Sequence, residues 1–207
     1  MKKSLICYFL LFFWFPLVHA ETVSQNLLPT QELIKILQSG GHIIYMRHGP
    51  TLHTQKDTDR NNLSDCSKQR NLSAQGHEQT KKIGQTIRTL KIPIGNVLSS
   101  PYCRCKETAR LAFGYFKIEP KLAFSISKNK EESKQLGKHL YEMMISSQVD
   151  TKNTVFVGHT SNLKDGLGIW PKPEGVIVVF KKQANQLIYR GMISPDEWPA
   201  TEQINKI

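Results

Sequence analysis

The sequence is poor in cysteine, in acidic side chains and in long apolar runs. Four cysteines in 207 residues exclude a small disulfide scaffold, which needs a denser framework. None of them forms a Cys-x-x-Cys pair, and no His/Cys spacing suits zinc, so no metal and no cofactor is expected. Acidic residues number 17 against 28 lysines and arginines, a net charge of +11. That excess favours an anionic partner. No basic stretch is interleaved with aromatics, so nucleic acid is not the expected one. The single long apolar run, Leu5 to Leu17, follows Met1-Lys2-Lys3 and precedes Val18-His19-Ala20. It is shorter than the roughly 20 residues a membrane span needs. Basic head, apolar middle and small residues at the end make a secretory signal peptide over residues 1–20. No other segment is apolar enough to cross a membrane, so the expected product is periplasmic or secreted. Cys7 leaves with the leader, and Cys66, Cys103 and Cys105 remain. In an oxidising compartment the simplest outcome is one disulfide and one spare thiol. Repeats, low-complexity tracts and linkers are also missing, so residues 21–207 are expected to form one domain with a real core.

What is present alternates between strand and helix patterns. Pro29 to Glu32, with Thr30 as cap, opens a helix whose apolar face is Leu33, Ile34, Ile36 and Leu37, stopped by Gly40-Gly41. A strand follows from His42 to Met46. Residues 51–71 are polar and aperiodic, and a loop of that length in a compact domain is usually functional. A second helix opens at Leu72-Ser73-Ala74-Gln75-Gly76. Val97 to Ser100 is a short strand, and Ser100-Pro101 reads as the cap and first turn of a third helix. Further elements are a brief strand at Lys117 to Glu119, a helix from Glu131 to Ser146, a strand from Asn153 to Val157, a short helix from Ser161, and a closing strand pair, Val176 to Phe180 and Leu187 to Tyr189. This alternation predicts an α/β fold with a mostly parallel sheet.

Two of these strands end alike. Ile43-Ile44-Tyr45-Met46 runs into Arg47-His48-Gly49, and Thr154-Val155-Phe156-Val157 runs into Gly158-His159. Each delivers a histidine where strand becomes loop, the place where open α/β sheets put their ligand chemistry. Between them lies Ser99-Ser100-Pro101-Tyr102-Cys103-Arg104-Cys105-Lys106-Glu107-Thr108-Ala109. A phosphomonoester dianion needs fixed positive charge, and guanidinium forks match its oxygens.

Taken together, Arg47-His48-Gly49, Arg104 before Glu107-Thr108-Ala109, Gly158-His159 and the Leu72-Ser73-x-x-Gly76 helix start resemble the motifs of the histidine phosphatase superfamily, in that family's order. The resemblance implies a three-layer α/β/α sandwich like that of phosphoglycerate mutases. It implies a phosphatase with His48 as nucleophile through a phosphohistidine, and phosphate bound by Arg47, Arg104 and His159, with Thr51 as a further donor. Two arginines and an imidazolium would supply the charge a metal supplies elsewhere. The proton donor to the leaving group is the least defined part. Glu174, just before a strand, is the candidate, and Asp165 reads as a surface charge. Where the phytase-like branch carries a further arginine after Arg-His-Gly, this chain has Pro50-Thr51-Leu52-His53, which argues against a phytase. Cys66–Cys103 is the expected bridge, pinning the long loop beside Arg104, and Cys66–Cys105 is its alternative. The expected substrate is a small-molecule phosphate ester or one on a cell-envelope component. The alternative function is a non-catalytic protein that holds phosphorylated or polyanionic ligands in the same pocket. Nothing in the sequence bears on oligomeric state.

Overall fold

The computed structural model describes residues 23–125, 128–148 and 150–199. The signal peptide expected at 1–20 lies outside the described residues. Seven strands form one sheet in the order β1-β7-β6-β2-β5-β3-β4. They are β1 (Ser24–Gln25), β2 (Ile43–Arg47), β3 (Ile94–Ser99), β4 (Lys117–Ile118), β5 (Asn153–Gly158), β6 (Ile177–Gln183) and β7 (Gln186–Ile193). Only β6 runs against its neighbours; the other pairings are parallel. The helices are α1 (Thr30–Gln38), α2 (Ala74–Thr89), α3 (Cys103–Phe113), α4 (Lys130–Ser146) and α5 (Thr160–Leu167).

The sheet is apolar on both faces, as a covered parallel sheet must be. Strand alternation divides the core. Ile44 and Met46 of β2 pack with Leu33 and Leu37 of α1, Ile83 and Ile87 of α2, and Ala109 of α3. Ile43 and Tyr45 point the other way, to Leu140 and Met144 of α4 and Leu163 of α5. The result is the α/β/α sandwich expected from the motifs.

Several boundaries differ from the sequence reading for local reasons. Pro29 occupies the α1 cap position without a side-chain bond. Thr30 is instead the first helical residue, and its hydroxyl donates to Glu197 Oε1 at 3.0 Å. Helix α3 starts at Cys103, after Tyr102, not at Pro101. The Ser100 hydroxyl is therefore no cap and is engaged elsewhere. Strand β1 carries no apolar alternation; it exists because Ser24 and Gln25 pair with Ile188 and Tyr189 of β7. At α2 the expected start is present. Ser73 Oγ accepts from the Gly76 N–H at 3.0 Å. A Cβ on Gly76 would collide with the Pro50 carbonyl, so glycine lets the helix lie directly against the segment that follows His48.

Cys66 is bonded to Cys103 across 37 residues, and Cys105 is free and buried. For a loop of that length, the chain-entropy model gives the bridge about 4 kcal/mol of stability. Urea unfolding with and without dithiothreitol is expected to show a loss of that order. An unchanged midpoint after complete reduction would contradict it.

Candidate active site

The register of β2 on β5 builds the site. Arg47 lies opposite Gly158, so the next residues, His48 and His159, leave neighbouring strands side by side. Their ring centroids are 5.4 Å apart. The His48 N–H donates to the Gly158 carbonyl at 3.1 Å and the Gly175 N–H donates to the His48 carbonyl at 2.9 Å. These bonds fix the turn on both sides. Beneath it, the Tyr45 hydroxyl donates to the His159 carbonyl at 2.7 Å. A Cβ on Gly158 would run into that tyrosine.

His48 is buried, and its Nδ1 lies 2.9 Å from the Gly49 carbonyl oxygen. A carbonyl only accepts, so Nδ1 carries the proton. Burial first, then the Arg104 guanidinium, hold this imidazole well below its ordinary pKa of 6.5. The ring is thus neutral at pH 7, and Nε2 keeps its lone pair.

Arg104 is brought in by the first turn of α3 and is completely buried. Its Nη1 donates to Asp57 Oδ1 at 2.9 Å and to the Arg70 carbonyl at 3.3 Å. The guanidinium lies 4.5 Å from the Tyr102 ring centroid and 5.4 Å from that of Phe124, within cation–π range. Its Nε and Nη2 are buried without a partner, as is Arg47 Nε. Buried N–H groups of this kind are rare and point to an absent acceptor.

Glu174 reaches the site from the loop after α5. Arg47 Nη2 donates to its Oε1 and the Thr51 N–H to its Oε2, both at 3.1 Å. The Thr51 hydroxyl also lies on Oε1, at 3.3 Å. Arg47 Nη1 is tied to the Pro171 carbonyl at 3.2 Å. Both Glu174 oxygens face obligate donors, so this carboxylate orients Arg47. Both Thr51 donors are spent on Glu174 and none is left for a ligand. Asp165 accepts from Ser125 Oγ at 2.9 Å.

His159 is also fully buried. Its Nε2 lies 2.9 Å from Ser100 Oγ, the hydroxyl that the sequence had suggested as a helix cap. The Cys105 thiol sits 3.5 Å from the same nitrogen. Burial pushes that thiol up to about 12, so it is no nucleophile. Burial, then Arg104 and His48, hold the His159 ring well below 6.5. The imidazolium expected from the sequence is therefore disfavoured, because the ring is buried and the Arg104 guanidinium stands near it.

The structure thus assembles Arg47, His48, Arg104, His159 and Glu174 around one point, with Thr51 behind Glu174. Sequence reasoning missed Asp57, Arg70 and Ser100. Only the length of the aperiodic loop flagged the first two. Among the described residues no cluster of three or more His, Cys, Asp or Glu side chains could hold a metal ion, and no helix is long and apolar enough to cross a membrane.

The family model described as the histidine phosphatase superfamily (branch 1) matches residues 43–123, which carry the first histidine, both motif arginines and the α2 start. Over that segment the chain is similar to the histidine phosphatase superfamily. No curated protein sequence matches the chain. Similar solved structures include the protein histidine phosphatase SixA complexed with tungstate, at 15% identity and a TM-score of 0.54, covering 76% of this chain and 99% of that one. A phosphoserine phosphatase from Entamoeba histolytica in complex with phosphoserine gives 16% and 0.55, with coverage of 76% and 99%. The α-ribazole phosphatase from Shigella flexneri gives 13% and 0.54, with coverage of 74% and 96%. At these identities the likeness is one of fold. On this fold the chain sets His48 and His159 side by side at the ends of neighbouring strands.

The depressed histidines fix a sign for stability. Unfolded imidazoles bind protons near pH 6.5, whereas His48 and His159 do so only well below it. Their neutral forms are thus no burden above pH 6.5, and stability is lost as pH falls beneath that value. Urea midpoints are expected to decline between about pH 7 and about pH 5, and less steeply in a His159→Gln variant. Parallel profiles for the two proteins would contradict the assignment.

Proposed function

We propose that this protein is an exported, metal-independent phosphatase that hydrolyses phosphate monoesters through a phosphohistidine on His48. One observation carries the reading. His48 presents an unprotonated Nε2 beside a second histidine, within a ring of guanidinium N–H groups that lack acceptors. Nε2 attacks phosphorus, and the bond from phosphorus to the leaving oxygen breaks with its electron pair going to oxygen. Arg47, Arg104 and His159 stabilise the charge on the phosphoryl oxygens, with the His159 ring held by Ser100. Water then attacks phosphorus, the P–N bond breaks, and its electron pair returns to Nε2.

Glu174 is the carboxyl that the sequence suggested as proton donor. Its position on Arg47 and Thr51 supports an orienting role instead, and Asp57 is committed to Arg104. A site without a dedicated acid favours substrates whose leaving group departs unaided: aryl and acyl phosphates and phosphoramidates. Export is supported by the Cys66–Cys103 bridge together with the leader pattern of residues 1–20. It would place phosphate esters of the cell envelope within reach.

The test gives the purified protein p-nitrophenyl phosphate and glycerol phosphate with a chelator present, beside His48→Ala. Chelator-resistant turnover, higher for the aryl ester and lost in the variant, is the expected result. Absence of turnover across acid to neutral pH would favour the binding-protein reading.

A further inference from the structure

The cationic groups of the pocket do not end with Arg47 and Arg104. Arg70 closes the long loop, two residues before Leu72 forms a bridge with Thr51. Its backbone is held on both sides. The N–H donates to Asp57 Oδ1 at 3.0 Å, and the carbonyl accepts from Arg104 Nη1 at 3.3 Å. Its side chain, by contrast, has Nε buried without a partner. Among the described residues no carboxylate pairs with its guanidinium, whereas Arg47 has Glu174 and Arg104 has Asp57. Its carbonyl contact with Arg104 sets it at the rim of the same site, and its charge adds to that of Arg104 in disfavouring protonation of His48 and His159.

The charge count around the histidines follows. Three guanidiniums face two carboxylates, and both imidazoles are neutral. One positive charge is uncompensated. Four buried guanidinium nitrogens lack acceptors: Arg47 Nε, Arg70 Nε, and Arg104 Nε and Nη2. A planar carboxylate offers its two oxygens in a single plane to donors that come from three separate arginines. The excess charge calls for an anion, and a tetrahedral phosphoryl group with three terminal oxygens answers the number and spread of the donors.

We infer that Arg70 is a third phosphate-binding arginine, and that it makes the pocket specific for dianionic phosphoryl groups, that is monoesters and phosphoramidates over diesters. This rests on reading the Arg47–His48–Arg104–His159 cluster as the phosphoryl site. The contacts by which Arg70 supports the fold are made by its backbone and survive substitution, so its side chain can be tested for binding alone.

The experiment titrates sodium tungstate and inorganic phosphate calorimetrically into the full chain, for wild type, Arg70→Lys and Arg70→Met, with a thermal melt of each. Arg70→Met is expected to weaken tungstate binding by about 10- to 100-fold while the melt stays close to wild type. Arg70→Lys keeps the charge without the fork and should fall between. With p-nitrophenyl phosphate, KM should rise more than kcat falls. The acid limb of kcat/KM should move to higher pH, because a positive neighbour of His48 is gone. Tungstate affinity within twofold of wild type in the two variants, or no saturable binding by wild type, overturns the inference. Failure of the phosphatase reading is a different result: tight tungstate binding that depends on Arg70, with no turnover, retains Arg70 as an anion ligand and removes the enzyme.

Discussion

His48→Ala is expected to lower kcat on p-nitrophenyl phosphate by at least about a thousandfold. The size of the effect follows from the position of the ring. Gly49 fixes the proton on Nδ1, and burial with Arg104 keeps the ring neutral. The lone pair on Nε2 is then available over the whole range above the depressed pKa. Alanine removes the attacking atom and leaves Arg47, Arg104 and His159 in place. Phosphate affinity should therefore stay within several-fold of wild type while turnover disappears. This split between binding and chemistry separates a nucleophile from a residue that merely shapes the pocket. Steady-state kinetics and tungstate calorimetry on the same preparation check both halves. A variant retaining a tenth of wild-type kcat would remove His48 from the reaction.

Asp57→Ala is expected to destabilise the fold by about 3–5 kcal/mol. Arg104 has no exposed side-chain surface and Asp57 has 7%, so the pair is shielded from water and screened little by salt. Asp57 is the only carboxylate on Arg104 among the described residues, and it also accepts the Arg70 N–H. Removing it leaves a buried guanidinium without its counter-charge and an orphaned backbone donor. Breaking one side of such a pair costs far more than an exposed bridge such as Lys81–Glu78 contributes. For a domain of this size the melting temperature should drop by roughly 10 °C. A second substitution, Arg104→Met, should restore part of the loss, because it removes the uncompensated charge. A loss below about 1 kcal/mol in the single variant would mean that Arg104 is not held by Asp57 in solution.

The contrast between these residues shows what a sequence exposes. His48 and His159 were legible because each ends an unbroken apolar run, and buried parallel strands have that pattern. Arg104 was legible through its place in the middle motif, at the start of a helix. The β2–β5 register that sets the two rings side by side was not legible, since side-chain pattern alone does not say which strands pair. Asp57 and Arg70 lie in a segment without period, and only the fold brings them to Arg104. Ser100 was misread because Ser-Pro fits a helix start. The helix begins later, and a histidine 59 residues away claims the hydroxyl. Glu174, expected as a proton donor, contacts Arg47 in the structure, a relation that no local pattern encodes.

The most direct measurement is the fate of the phosphoryl group in a single turnover. Enzyme is mixed with a labelled aryl phosphate, quenched under denaturing conditions without acid, and its peptides mapped. The account predicts label on the peptide containing His48, stable to alkali and released by acid. Turnover that proceeds with no label on the protein, or label on any residue other than His48, would contradict it.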